Sequence, residues 1–150
     1  MKNKITIYTD GGARGNPGPA AIGVVIEGPG PAVAGGKKTY QEYIGETTNN
    51  EAEYQALIFA LKKLKQLVGT EKLKDYMIEC YADSELMVKQ LNGEFKIKEK
   101  SIQKFFIEIW NLKIDLDVPI SFHHVPREQN AGADELVNQV LDREANKLNI

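Results

Sequence analysis

The chain has 150 residues, of which 42% are hydrophobic and 27% are charged, and its formal net charge at pH 7 is −2. This size and composition predict a single globular domain spanning residues 1–150. Because Cys80 is the only cysteine, an intrachain disulfide is excluded, and we expect Cys80 to be a small buried hydrophobe. The slightly acidic balance excludes a globally basic nucleic-acid wrapper, and no apolar run approaches the roughly 18 residues of a membrane helix, so we expect a cytoplasmic protein without membrane contact.

The first predicted element is a strand over Ile5–Thr9, which runs into Asp10 and then into a glycine-rich loop over 11–18. Glycine allows close backbone approach and positive φ, and successive free N–H groups in such a loop can hold an anion. Asp10 at the end of a rigid strand therefore indicates metal or phosphate chemistry. The alternative is a hairpin loop in which the aspartate bonds its own backbone, and this stretch by itself favours that alternative.

Two further strands are predicted over Ala21–Glu27 and Lys37–Ile44, and short connections make the first three strands an antiparallel meander. Helix-cap residues at 47–50 and apolar residues at helical spacing then predict a helix that ends at Gly69. Glu53 falls in the first turn of this helix, on or beside the stripe that should face the sheet. An acid aimed at a sheet is costly unless it is paired or bound to a cation.

The remaining elements alternate between strand and helix. They are a strand over Tyr76–Tyr81, helices over Ser84–Leu91 and Ser101–Leu112, a strand over Val118–Val125, a loop over Pro126–Gly132 and a helix over Ala133–Leu148. Because the fourth and fifth strands are each reached through helical crossovers, this order predicts an α/β fold with a five-stranded mixed sheet flanked by helices.

Four carboxylates lie where predicted elements begin or end, namely Asp10, Glu53, Asp83 and Asp134. If the first and fourth strands are parallel neighbours, the acids that follow them meet at one edge of the sheet. Taken alone, Asp134 has an ordinary explanation as a first-turn acid favoured by the helix dipole. Crowded carboxylates repel one another, however, and two Mg²⁺ ions about 3.5–4 Å apart would both neutralise them and clamp a phosphodiester.

The chain resembles the type 1 ribonuclease H family over nearly its whole length. The residues that carry the resemblance are Thr9–Gly18, Thr47–Glu53, Ala82–Ser84 and Ala133–Leu136. The resemblance implies a five-stranded mixed sheet and endonucleolytic cleavage of the RNA strand of an RNA–DNA hybrid, leaving 5′-phosphate and 3′-hydroxyl ends. It also implies that the four acids hold two Mg²⁺ ions, with Asp10 bridging both and with Mn²⁺ as a substitute.

The resemblance further implies contacts with the hybrid duplex. The matching positions are Gly11, Gly12, Asn16, Thr48, Asn49 and Asn50. Backbone groups and short amides suit the wide, shallow minor groove of a hybrid, which displays 2′-hydroxyls and base edges. We expect a monomer with no obligate protein partner.

Three departures from the family pattern matter. The loop before the last helix is shortened to His123–Asn130, so His124 and Arg127 are the candidates for an auxiliary role. Strand alternation places His123 and His124 on opposite faces, and at least one of them is therefore expected to be structural. The basic protrusion of some relatives is absent, which predicts modest, salt-dependent affinity. Glu85 stands where many relatives have an amide.

Two other functions remain open from the sequence. The chain could be a ribonuclease H-like module that binds nucleic acid or metal without turnover, or a nuclease that acts on double-stranded RNA or branched DNA. The complete set of four acids argues against the first alternative, and Thr48–Asn50 favours hybrids over the other duplexes.

Overall fold

The structure is a computed structural model that describes residues 3–148. Its elements in chain order are β1 (Asn3–Ala13), β2 (Gly18–Glu27), β3 (Lys37–Thr47), α1 (Asn49–Val68), α2 (Thr70–Leu73), β4 (Tyr76–Ala82), α3 (Glu85–Leu91), α4 (Lys100–Leu116), β5 (Ile120–His124) and α5 (Ala131–Leu148). Short 3₁₀ helices span Ala34–Gly36 and Arg127–Asn130. Within the described range, none of the helices combines the length and apolar character needed to span a membrane.

The five strands form one mixed sheet in the order β3-β2-β1-β4-β5. β1, β2 and β3 are paired antiparallel, while β4 is parallel to both β1 and β5. α1 connects β3 to β4, and α3 with α4 connects β4 to β5. The predicted fold class is therefore confirmed, including the helical crossovers that reach the fourth and fifth strands.

The main core lies between α1 and one face of the sheet. The apolar residues of α1 recur every three to four positions and so form a stripe on one side of the helix. The buried contacts join Tyr54, Leu57, Leu61 and Leu64 of α1 to Ile5, Ile7 and Ile78 of the strands. Cys80 is buried in the same core, as expected for a small hydrophobe, and α4 packs against α1.

β2 is buried from Ala20 to Ile26 because helices cover both of its faces. Val24 and Ile26 belong to the core under α1, whereas Ala21 packs against α5. This double coverage explains why β2 is a continuous apolar run without alternation. Gly23 allows α5 to lie directly on the strand, since a Cβ at this position would collide with the Ala133 carbonyl oxygen.

The prediction that β1 ends before Asp10 and is followed by a glycine loop is wrong. β1 continues to Ala13, and its last residues pair with β2 through Asp10↔Gly23 and Ala13↔Ala20. The strand continues because β2 pairs with β1 from Thr6 through to Ala13. Among the glycines of this motif, positive φ occurs at Gly15 and not at Gly11 or Gly12.

Other boundaries differ by smaller amounts. β5 covers only Ile120–His124, since Pro119 cannot donate a backbone hydrogen bond. α4 spans Lys100–Leu116 and is therefore longer than the predicted helix over Ser101–Leu112. The predicted loop over 126–132 contains the 3₁₀ helix Arg127–Asn130 and leads directly into α5 at Ala131.

Candidate active site

Three of the predicted acids converge at the edge of the sheet where β4 ends. Asp10 lies one residue beyond Thr9↔Ala82, the last pair between β1 and β4, and Asp83 is the first residue after β4. Glu53 reaches the same place from α1, and one carboxylate oxygen from each of Asp10, Glu53 and Asp83 lies within 4.8 Å of the others. The expectation that parallel neighbours bring Asp10 and Asp83 together agrees with this geometry.

Asp134 reaches the cluster from the other side of the sheet. It is the fourth residue of α5 and lies within hydrogen-bonding reach of the Asp10 carboxyl. Its Oδ2 accepts a hydrogen bond of 3.3 Å from Asn138 Nδ2, one helical turn later. Asp134 therefore lies beside Asp10, at the margin of the cluster that Asp10, Glu53 and Asp83 form.

Glu53 depends on the close approach of α1 to β1. It is the fifth residue of α1 and so lies beyond the first turn, where Glu51 takes up the role of a helix-capping acid with Thr48. A Cβ at Gly11 would lie 2.6 Å from the Glu53 backbone nitrogen and would also collide with the Ala52 carbonyl. The glycine therefore lets the helix, and not a ligand, approach the strand.

Two backbone N–H groups after Asp10 form hydrogen bonds inside the protein. Gly11 N–H donates to Glu53 Oε1 at 2.9 Å, and Ala13 N–H donates to Asn49 Oδ1 at 2.8 Å. The Gly11 and Ala13 N–H groups are therefore unavailable to an anion, contrary to the expectation of free N–H groups here. These bonds instead fix the start of α1 against the end of β1.

Burial and mutual repulsion dominate the electrostatics of the acids. Burial, followed by the charges of Asp83 and Asp134, raises the pKa of Asp10 to about 8, while Arg127 lowers it. Burial, followed by Asp10 and Asp83, also raises the pKa of Glu53 well above its usual range. Such a cluster resists full ionisation unless a cation compensates it.

The donor set fits a metal ion. Asp83 Oδ2 is buried and has no hydrogen-bond partner among residues 3–148. A buried carboxylate oxygen that accepts no hydrogen bond and lies beside two further acids supplies the oxygen ligands that hard divalent cations prefer. The acidic cluster can therefore hold a metal ion.

A cleft of about 410 Å³ opens onto the acids, and three of the six predicted substrate-contact residues line it: Gly11, Gly12 and Asn49. Arg127 lines it as well, whereas Asn16, Thr48 and Asn50 do not. Asn16 Oδ1 accepts a hydrogen bond of 3.0 Å from the Asn49 backbone N–H, which ties the β1–β2 turn to α1. Thr48 caps α1 by accepting from Glu51 N–H, and Asn50 Oδ1 is buried without a partner in the described part of the chain.

The two candidate auxiliary residues occupy different surroundings. Arg127 Nε lies 3.6 Å from Asp83 Oδ2 and its side chain is 79% exposed. His124 is exposed and lies near Glu85, whose pKa it helps to lower after Lys89, with which Glu85 forms a 2.8 Å ion pair. His123 instead stacks on Tyr81 at 5.1 Å between ring centres, which agrees with the expectation that one histidine is structural.

Sequence reasoning missed two asparagines beside the acids. Asn138 lies four residues after Asp134, and this helical spacing was a signal that could have identified it. Asn130 is 1% exposed and donates to the Thr9 carbonyl oxygen at 2.9 Å. Its partner is 121 residues away in sequence, so no local pattern indicated the contact.

Comparison with known proteins agrees with the fold. The sequence model of a family described as "Reverse transcriptase-like" matches residues 8–140. The ribonuclease HI of Halobacterium salinarum is 39% identical over 93% of this chain, and the ribonuclease H of a Sulfurovum species is 30% identical over 95% of it. The chain covers 93% of the Sulfurovum protein, 65% of the Halobacterium protein and 36% of a bifunctional protein of Mycobacterium tuberculosis.

A solved structure is also similar over almost the whole chain. LC11-RNase H1, isolated from compost by a metagenomic approach, was solved in complex with an RNA/DNA hybrid. It has a TM-score of 0.84 and 48% sequence identity, over 94% of this chain and 99% of that one.

Proposed function

The chain belongs to the type 1 ribonuclease H family, and from this premise we propose that it is an endoribonuclease that hydrolyses the RNA strand of RNA–DNA hybrids, leaving 5′-phosphate and 3′-hydroxyl ends. The observation that carries the proposal is the convergence of Asp10, Glu53 and Asp83 within 4.8 Å, with Asp134 against Asp10. The hybrid bound to the similar LC11 protein supports the choice of substrate.

In this proposal Asp10, Glu53, Asp83 and Asp134 would hold two Mg²⁺ ions, for which Mn²⁺ can substitute. The buried Asp83 Oδ2, which accepts no hydrogen bond within residues 3–148, and the raised pKa of Asp10 support a cation at this place. When bound, divalent ions supply charge neutralisation, activation of water and stabilisation of the leaving oxygen.

The chain's own groups hold the acids in place. The Gly11 N–H bond to Glu53 Oε1 fixes the orientation of a side chain that is almost completely buried. Arg127 is exposed beside Asp83, so its guanidinium can bind a backbone phosphate of the substrate while it offsets part of the negative charge. His124 remains a predicted auxiliary residue.

The contacts with the hybrid follow from the groups that remain free. Asn16 and Asn49 use their Oδ1 atoms inside the protein, which leaves their Nδ2 groups to donate to ribose or base acceptors. Gly12 lines the cleft, whereas the Asn50 Oδ1 atom is buried, so Asn50 would have to contact the hybrid through its Nδ2 group. Gly11 and Thr48 would act through shape and positioning, since the Gly11 N–H and the Thr48 hydroxyl are already bonded. One copy of the chain carries all of these groups, so we expect a monomer to suffice.

The test is cleavage of four labelled duplexes under one condition with Mg²⁺ or Mn²⁺: RNA–DNA hybrid, double-stranded RNA, double-stranded DNA and branched DNA. The proposal expects cleavage of the hybrid alone, in its RNA strand, with 5′-phosphate products. Binding of the hybrid without any product at high enzyme concentration would indicate a binding module, and preferred cleavage of another duplex would change the substrate.

A further inference from the structure

The edge of β1 that β4 leaves uncovered is capped by three side chains. β4 pairs with β1 only as far as Thr9, whereas β1 runs on to Ala13. Beyond that point the Thr9 carbonyl accepts from Asn130 Nδ2, Gly11 N–H donates to Glu53 Oε1, and Ala13 N–H donates to Asn49 Oδ1. Buried backbone groups need such partners once the neighbouring strand has ended.

Asn130 is the member of this set that comes from the far end of the chain. It is the last residue of the 3₁₀ helix Arg127–Asn130 and directly precedes α5. Arg127, three residues before it, contacts Asp83, and Asp134, four residues after it, contacts Asp10. The bond to Thr9 therefore attaches this segment to β1 at the residue that precedes Asp10.

We infer that Asn130 is a positioning residue whose side-chain amide fixes Asp134 against Asp10 and Arg127 against Asp83. The inference rests on the proposed nuclease function and adds to it a residue that does not touch the substrate. Without this hydrogen bond, the segment from Arg127 to Asp134 keeps its own helical structure but is no longer held in a fixed position against β1.

The amide is a poor choice for stability alone. Asn130 is only 1% exposed, and its buried Oδ1 atom has no hydrogen-bond partner within residues 3–148. A buried polar atom without a hydrogen bond is unfavourable, and a leucine of similar shape would remove it while filling the same space. The hydrogen bond that Asn130 Nδ2 donates to the Thr9 carbonyl oxygen is therefore an interaction that an apolar residue at this position could not make.

The test compares Asn130→Leu with Asn92→Leu as a matched control. Asn92 Nδ2 also donates to a strand carbonyl, that of Phe122, at 3.1 Å. Asn92 follows the C-terminal end of α3, whereas Asp83 precedes the N-terminal end of this helix. For Asn130→Leu we expect kcat to fall by about 10²-fold, because misplacing reacting groups by ~1 Å costs that much. KM should rise by a smaller factor, since Arg127 is displaced as well. Asn92→Leu should keep the wild-type kcat.

A second readout uses the metal-free protein and does not depend on activity. The Arg127 side chain is 79% exposed, so trypsin can reach it when the segment opens. Cleavage after Arg127 should be faster in Asn130→Leu than in wild type or Asn92→Leu, since loosened segments are cut first. If Asn130→Leu does not fold, Asn130→Ser carries the same comparison, because its short hydroxyl cannot reach Thr9.

The outcomes distinguish the proposed nuclease function from the positioning role of Asn130. A wild-type protein that fails to cleave the hybrid overturns the proposed function. A wild-type protein that cleaves, together with an Asn130 variant whose kcat and trypsin sensitivity match those of the Asn92 variant, overturns the positioning role alone. A lower kcat with faster cleavage after Arg127 supports it.

Discussion

The backbone N–H of Gly11 donates a 2.9 Å hydrogen bond to Glu53 Oε1, and the two residues are 42 positions apart. This bond joins β1 to α1 beside Asp10 and holds one acid of the cluster in a fixed orientation. It exists because Gly11 has no side chain, since a Cβ there would occupy the space of the Ala52 backbone. The glycine that follows the aspartate is therefore a packing requirement of the site.

Gly11→Ala should destabilise the protein and lower its activity. The added Cβ meets backbone atoms of α1, which cannot rotate away, so the helix must move and carry Glu53 with it. Overpacking of this kind costs about 1–3 kcal/mol, or more where backbone must shift. Denaturant unfolding and hybrid cleavage would measure both effects. Gly30→Ala is the control, because nothing lies within 4 Å of a Cβ at Gly30; equal stability of the two variants would contradict the packing argument.

Asp10→Asn should reduce hybrid cleavage by at least about 10²-fold, the scale of losing one preorganised electrostatic partner. The amide keeps the shape of the carboxyl but removes the charge at the point where the other three acids meet. Binding of the hybrid, measured by fluorescence anisotropy, should persist. Asp142→Asn, which alters an exposed ion pair with Arg14, is the control. Wild-type cleavage by a clean preparation of Asp10→Asn would refute the site assignment.

The metal-free protein should lose stability as the pH rises. Burial and the charges of Asp83 and Asp134 raise the pKa of Asp10 to about 8 in the folded state, against an ordinary value of 3.8. Between these values the folded protein holds a proton that the unfolded chain has released, so the free energy of unfolding falls as the pH increases. Melting curves in chelator from pH 4 to pH 8 would show the decline.

The same titration makes a prediction for Asp10→Asn. The amide does not ionise, so the melting temperature of the variant should decline less over this range and exceed that of the wild type at pH 8. Each kcal/mol corresponds to about 2–4 °C for a chain of this size. Added Mg²⁺ should raise the wild-type melting temperature more than that of the variant. Parallel curves for the two proteins would show that Asp10 does not control this pH dependence.

Arg127→Ala should weaken hybrid binding more than it affects folding. The Arg127 side chain is 79% exposed, and its 3.6 Å contact with the buried Asp83 Oδ2 is too long for a hydrogen bond, so most of the guanidinium is available to the substrate. If the guanidinium binds a phosphate, its loss should raise KM and reduce the dependence of binding on salt concentration by about one phosphate contact. Lys147→Ala, which alters an exposed pair with Glu144, should change neither quantity.

Much of the fold could be predicted from local patterns. The period of the apolar residues in α1 and its end at Gly69 depend on neighbouring residues only, and the helical crossovers imply parallel pairing of β4 with β1. The end of β1 could not be predicted in this way. Glycine has low strand propensity, and the strand continues through Gly11 and Gly12 because β2 pairs with it and α1 packs on it.

The sequence by itself determined the order of the elements, the family resemblance and the four acids, because these depend on residue type and spacing along the chain. The tertiary structure decided which groups the acids meet: Gly11 with Glu53, Arg127 with Asp83, and Asn130 with Thr9. It also decided that the N–H groups after Asp10 are used inside the protein. Contacts between residues 42 to 121 positions apart follow from how helices pack on the uncovered edge of β1, and no local pattern encodes that packing.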